Sequence, residues 1–83
     1  MKPIRFEGFK VTEKDCYWDI THEKSRLPAY RVYRVEGTDC YNLFRCIPSE
    51  DKGVDLIKAV YYHTFWAQIV SFILNDWNWA IVP

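Results

Sequence analysis

Residues 54–75 constrain the fold more than any other part of the chain, because they are 22 consecutive positions with only Asp55 and Lys58 formally charged. The spacing predicts one long apolar helix, or two short helices end to end. On a helical wheel Thr64, Gln68, Ser71 and Asn75 recur at intervals of 4, 3 and 4 and make a narrow polar stripe. Asp55 and Lys58 lie about 120 to 180° away from that stripe, so the polar face changes sides along the segment. The line begun by Asp55 and Lys58 continues through Tyr62, Trp66, Ile69 and Ile73, from charged to apolar. Two more stripes are apolar as well, one through Ile57, Tyr61, Phe65 and Phe72 and one through Leu56, Val60, Ala67, Val70 and Leu74. A sheet packed on one side would not cover all of this.

Two accounts fit the change of phase. In one the chain breaks near 62–64, a second helix restarts there, and the apolar residues are all core. In the other Tyr62, Trp66, Ile69 and Ile73 form an exposed patch that meets another protein or a second copy of the chain, as large exposed apolar patches do. A membrane span is the poorer reading. Residues 59–74, which hold no Asp, Glu, Lys or Arg, number only 16, against roughly 20 needed to cross a bilayer.

The segments before this one read as strands. Positions 4–12 carry Ile4, Phe6, Phe9 and Val11 with a slip near Gly8 that a bulge would repair. Glu13, Lys14 and Asp15 make a polar turn into a second strand at 16–21, giving a hairpin. After the charged loop 22–26 and Pro28, a third strand at 29–36 turns at Gly37, Thr38 and Asp39 into a fourth at 40–47. Pro48 ends the sheet, and Ser49, Glu50 and Asp51 have the hydroxyl and acids of a helix start. Past Asn75 and Asp76, positions 77–82 alternate like a short final strand. The fold class expected is therefore a small two-layer α+β domain spanning 1–83. It comprises a four-stranded antiparallel sheet of two hairpins, a long C-terminal helix and a terminal strand. The parity of the third and fourth strands leaves the strand order and the exposed face open.

No assembled chemistry is visible. Three cysteines (Cys16, Cys40, Cys46) cannot all pair, and the first residues lack the apolar stretch of a secretory signal. Both point to a reducing, cytoplasmic setting with the thiols as small buried hydrophobes. Cys40 and Cys46 would lie about 20 Å apart on one extended strand, and no CxxC or HxxxH pair is present, so no metal site is expected. His22, which Asp19 could orient, and His63 are the only histidines, and neither has an evident nucleophile. Three glycines cannot make a phosphate-cradling loop. No cofactor and no enzymatic activity are expected.

The surplus of 15 aromatic residues, four Trp, six Tyr and five Phe, points instead to surfaces. The first function expected is a non-enzymatic protein-binding module. It would act by occupying a partner's surface as an inhibitor, adaptor or assembly subunit, in the manner of phage-encoded inhibitors of host systems, or as a homodimer. The alternative is single-stranded nucleic-acid binding through a second surface, Tyr30, Arg31, Tyr33 and Arg34 with Tyr41 and Arg45 across the hairpin. Eleven basic against eleven acidic residues weigh against that alternative, and Tyr with Arg is equally the composition of protein-interface hot spots. A small enzyme using Cys and His ranks third.

Overall fold

A computed structural model describes residues 3, 5–48 and 54–77, the side chains of 48 and 54–59 excepted. Five strands and one helix follow in order: β1 (Phe9–Glu13), β2 (Tyr17–His22), β3 (Tyr30–Arg34), β4 (Cys40–Pro48), β5 (Val54–Phe65) and α1 (Trp66–Asp76). The sheet is an antiparallel meander, β1-β2-β3-β4-β5, with α1 laid across one face. The two-layer α+β architecture and its four N-terminal strands agree with the alternation and turn residues of the sequence.

Gly37 adopts φ 78 in the β3–β4 turn. There the Thr38 hydroxyl donates to the Val35 carbonyl (2.8 Å) and accepts from the Cys40 amide (3.0 Å). Near Gly8 the expected bulge is a tight turn instead. Gly8 has φ 79, and the Phe9 amide donates to the Phe6 carbonyl at 2.9 Å. This folds Phe6 back to stack on Phe9 and to meet Trp66 edge-on.

The main correction concerns 54–65. This half of the expected helix is β5, the last strand of the sheet among the described residues, and the helix begins only at Trp66. The expected helix start at 49–51 lies outside the described residues, as does the terminal strand expected over 77–82 except for Trp77, which is not extended but continues the helical conformation as the C-cap of α1 (φ -58, ψ -45). β5 uses 12 residues where its partner β4 uses 9, and the register slips at three places along the pair. As a result Asp55, Lys58, Tyr61 and Thr64 stand opposite Ile47, Arg45, Leu43 and Tyr41. An ordinary strand returns to one face every second residue. This one, with three register shifts against β4, meets alternate β4 residues at every third residue of its own, which imitates helical spacing.

α1 has no side-chain N-cap and no charge placed to complement its dipole, with no acid in the first turn and no base in the last, so the helix depends on what its inner face buries. Trp66, Ile69 and Ile73 lie at intervals of three and four and are 4 %, 0 % and 0 % exposed. They pack on Phe9, Ile20, Tyr30, Val32, Tyr41 and Leu43 from the sheet, each worth roughly 1.5–3 kcal/mol of burial. The patch expected from Tyr62, Trp66, Ile69 and Ile73 is therefore corrected. Three of its members are the centre of the core, and only Tyr62 is exposed. On the outer side Gln68, Ser71 and Asn75 face solvent as the polar stripe required, whereas Thr64 is buried at the end of β5.

The far end of α1 is fixed by charge. The Asp76 carboxylate accepts from the Tyr30 hydroxyl (2.6 Å) and is paired with the Arg45 guanidinium through Nε and Nη2. An acid at a helix C-terminus opposes the macrodipole, and these two partners from β3 and β4 offset that cost. No helix among the described residues is long and apolar enough to cross a membrane.

Candidate binding surface

The end of β5 departs most from regular geometry. Tyr62 and His63 lie in the register slip between the Tyr41–Thr64 and Leu43–Tyr61 pairs, where β4 supplies only Asn42. His63 takes φ 51, the one positive φ at a non-glycine residue in the described chain. That conformation costs about 1–2 kcal/mol for a residue with a Cβ. It is held by the Asn42 side chain, whose Oδ1 accepts from the His63 amide at 3.0 Å, and by the Thr64 hydroxyl, which donates to the Tyr62 carbonyl at 3.1 Å. A bulge of this kind re-aims the side chains around it, and here three rings point outward. Tyr62 is 67 % exposed, Phe65 59 % and Tyr61 41 %.

Beside these rings runs an open groove of about 560 Å³ between β5 and the outer side of α1, lined by Tyr61, Ala67, Gln68, Ser71, Phe72 and Asn75. Tyr61 meets Phe72 edge-to-face at 5.0 Å, and the Arg45 guanidinium lies 5.6 Å from the Phe72 ring. The groove wall thus connects to the Tyr30–Asp76–Arg45 cluster. Its lining side chains are uncharged. Replacing His63 by glycine should remove the backbone strain and leave the fold intact, stabilising it by about 1 kcal/mol. A urea titration checks this, and a loss of stability instead would mean that the imidazole itself holds the turn.

The Tyr and Arg residues expected to share one sheet surface are divided between two. Tyr30 and Tyr41 are 1 % and 0 % exposed in the core beneath α1. Arg45 is bound to Asp76 on that same side, and Arg34 pairs with Asp39 at the hairpin end. Only Arg31 and Tyr33 reach the face away from the helix. Alternation separates them, since Tyr30, Val32 and Arg34 take one parity of β3 and Arg31 and Tyr33 the other. On that open face the structure adds Tyr17 and Phe44, which sequence reasoning passed over. Tyr17 and Tyr33 rings lie 5.4 Å apart and Tyr33 and Phe44 5.5 Å. Arg31 donates to Asp19 (Nε to Oδ1, 2.7 Å) while its guanidinium covers the Tyr17 ring at 4.1 Å.

The histidine and thiol candidates find structural roles. Asp19 faces Arg31, while His22, of opposite parity on β2, stacks on Trp77 at 4.6 Å and accepts the Lys24 amide at Nδ1. Asp19 therefore does not orient His22. Cys16, Cys40 and Cys46 are free thiols, with Cys40 and Cys46 half-buried and Cys16 exposed, so the expectation of buried thiols is corrected at Cys16. Burial pushes the Cys46 thiol up to about 11, which keeps it protonated and a poor nucleophile at neutral pH. Among the described residues no group of three or more His, Cys, Asp or Glu could hold a metal ion. Comparison with protein-family models, with curated proteins and with solved structures found no match, so the reading of this surface rests on its geometry alone.

Proposed function

We propose that the protein is a non-enzymatic protein-binding module that occupies a partner's surface through the bulged corner at the end of β5. Inhibitor, adaptor and assembly subunit, including a subunit of a homodimer, are all forms of that activity. The observation that carries the reading is the strained His63 turn, fixed by Asn42, which holds Tyr61, Tyr62 and Phe65 in solvent. Large rings held outward at a conformational cost are suited to fill pockets on another protein, and tyrosine is enriched among such anchors. The adjoining uncharged groove, with Gln68, Ser71 and Asn75 along it, supplies hydrogen-bonding groups of the kind found at an interface rim.

The test is affinity capture from nuclease-treated lysate of the source, run beside sedimentation of the purified chain to detect self-association. The wild type should hold one stoichiometric protein, or itself. Tyr62→Asp and Phe65→Asp should each weaken that association by about 2 kcal/mol or more. Leu27→Asp, at an exposed site outside the corner, should leave it unchanged. All three variants should melt like the wild type. A wild type that stays monomeric and retains no protein, or corner variants that retain the same partner equally well, would overturn the reading.

A further inference from the structure

The face of the sheet away from α1 holds an arrangement that the protein-binding reading does not use. A shallow depression of about 340 Å³ lies over β1, β2 and the loop that follows β2, and its walls include Lys10, Lys14 and Arg26 with the hydroxyls of Thr12, Thr21 and Ser25. Lys10, Lys14 and Arg26 are exposed, and among the described residues no ion pair joins any of them to a carboxylate. The one acid in the wall, Asp19, is neutralised by Arg31 at 2.7 Å. Three unneutralised cations and three hydroxyl donors around one concavity form a receptor for an oxyanion.

The depression is continuous with the row of rings. Asp19 shares its face of β2 with Tyr17, two residues earlier, and pairs across the sheet with Arg31, which shares its face of β3 with Tyr33. Arg31 links the two parts directly, bonded to Asp19 in the wall while lying over the Tyr17 ring. From there Tyr33 and Phe44 carry the aromatic surface across β3 and β4. Cations at one end of a sheet face and half-buried rings at the other match a single strand of nucleic acid, whose phosphates need charge and whose bases need flat apolar partners.

We infer that this face binds single-stranded nucleic acid, with a phosphate seated among Lys10, Lys14 and Arg26 and neighbouring bases resting on Tyr33 and Phe44. The zero net charge of the chain does not oppose this, because acid and base are unequally distributed. Within the depression the basic residues outnumber the acidic, and the acid present already has its partner.

The experiment is fluorescence anisotropy of a short labelled oligothymidylate titrated with the full chain over a range of salt, with inorganic polyphosphate as a ligand that has charge but no bases. Binding should weaken linearly in log salt. Lys10→Ala and Arg26→Ala should each lower the magnitude of that slope by about 0.7. Tyr33→Leu preserves an apolar contact with Phe44 but removes the stacking surface. It should weaken the oligonucleotide about tenfold and leave polyphosphate unaffected, with an unchanged melting curve showing that the sheet is intact. Tyr62→Ala and Phe65→Ala, which serve the other surface, should not alter it. Absence of saturable binding at low salt would overturn the inference. So would polyphosphate binding as tightly as the oligonucleotide, together with no effect of Tyr33→Leu.

Discussion

Replacing Ile69 by aspartate should leave no folded protein, whereas replacing Tyr62 by aspartate, seven residues earlier, should change stability by no more than about 0.5 kcal/mol. Ile69, on the inner side of α1, is 0 % exposed, and Tyr62 is 67 % exposed. Truncation alone, Ile69→Ala, should cost about 2–5 kcal/mol from lost burial and the cavity left behind. A carboxylate at that site adds the cost of burying an unpaired charge. A domain of 83 residues has on the order of 4–12 kcal/mol to lose. Urea unfolding followed by circular dichroism measures all three variants. A cooperatively folded Ile69→Asp protein would show that this side of α1 is a surface and that the burial described above is wrong.

Removing the Arg45 guanidinium should cost about 2 kcal/mol. Asp76 has a side chain only 9 % exposed, while Arg45 is 41 % exposed. The penalty therefore comes from leaving the carboxylate with a single donor, and partial solvent screening keeps it below the range for a wholly buried pair. The same cluster predicts two pH limits. Hydrogen bonding from Arg45, with a smaller contribution from Tyr30, holds the Asp76 carboxyl below its usual value of 3.8. The native state thus binds fewer protons than the unfolded chain near that pH. The stabilisation is present above about pH 4 and disappears as the pH falls through the lowered native value. Tyr30 behaves in the opposite sense. Burial, and then the hydrogen bond to Asp76, raise its hydroxyl well above the ordinary 10.0. Above pH 10 the unfolded chain releases this proton and the native state keeps it, so stability falls as the pH rises. Tyr30→Phe should reduce the alkaline loss and Arg45→Ala the acid loss, each read from urea midpoints across pH. Limbs that both variants leave unchanged would assign the titration to other groups.

β1 to β4 were legible because runs of strand-forming residues are separated by turn residues, Glu13 to Asp15, the loop up to Pro28, and Gly37 to Asp39, although the parity of β3 and β4 did not show which face is buried. β5 was not, and the cause is physical. With three residues more than its partner, it sets Asp55, Lys58, Tyr61 and Thr64 opposite alternate residues of β4, Ile47, Arg45, Leu43 and Tyr41. A three-residue recurrence is indistinguishable on a wheel from one side of a helix. The polar face appeared to change sides because two elements of different period had been joined. The break foreseen near 62–64 falls close to the true boundary after Phe65, although what precedes it is strand. Trp66, Ile69 and Ile73 were correctly aligned with one another, but their side was assigned by extending the line from Asp55 and Lys58. The Tyr and Arg cluster failed for a simpler reason, since neighbours in a strand face opposite ways and Tyr30 and Arg31 cannot share a surface. The left-handed turn at His63 left no trace in the sequence, because an asparagine on another strand supports it.

The meander has a consequence for how the chain reaches this state. Every rung of the sheet joins strands that are consecutive along the chain, so each pairing closes a short loop and loses little chain entropy. The long closures belong to α1, whose end must return Asp76 to Tyr30, 46 residues away, and Trp77 to Phe9 and His22. Mean sequence separation is thereby kept low for a chain so rich in strand, which favours rapid folding. The barrier should then be crossed when the sheet is largely paired and the helix swings onto it, with Trp77 arriving beside His22 as the optical marker of that step.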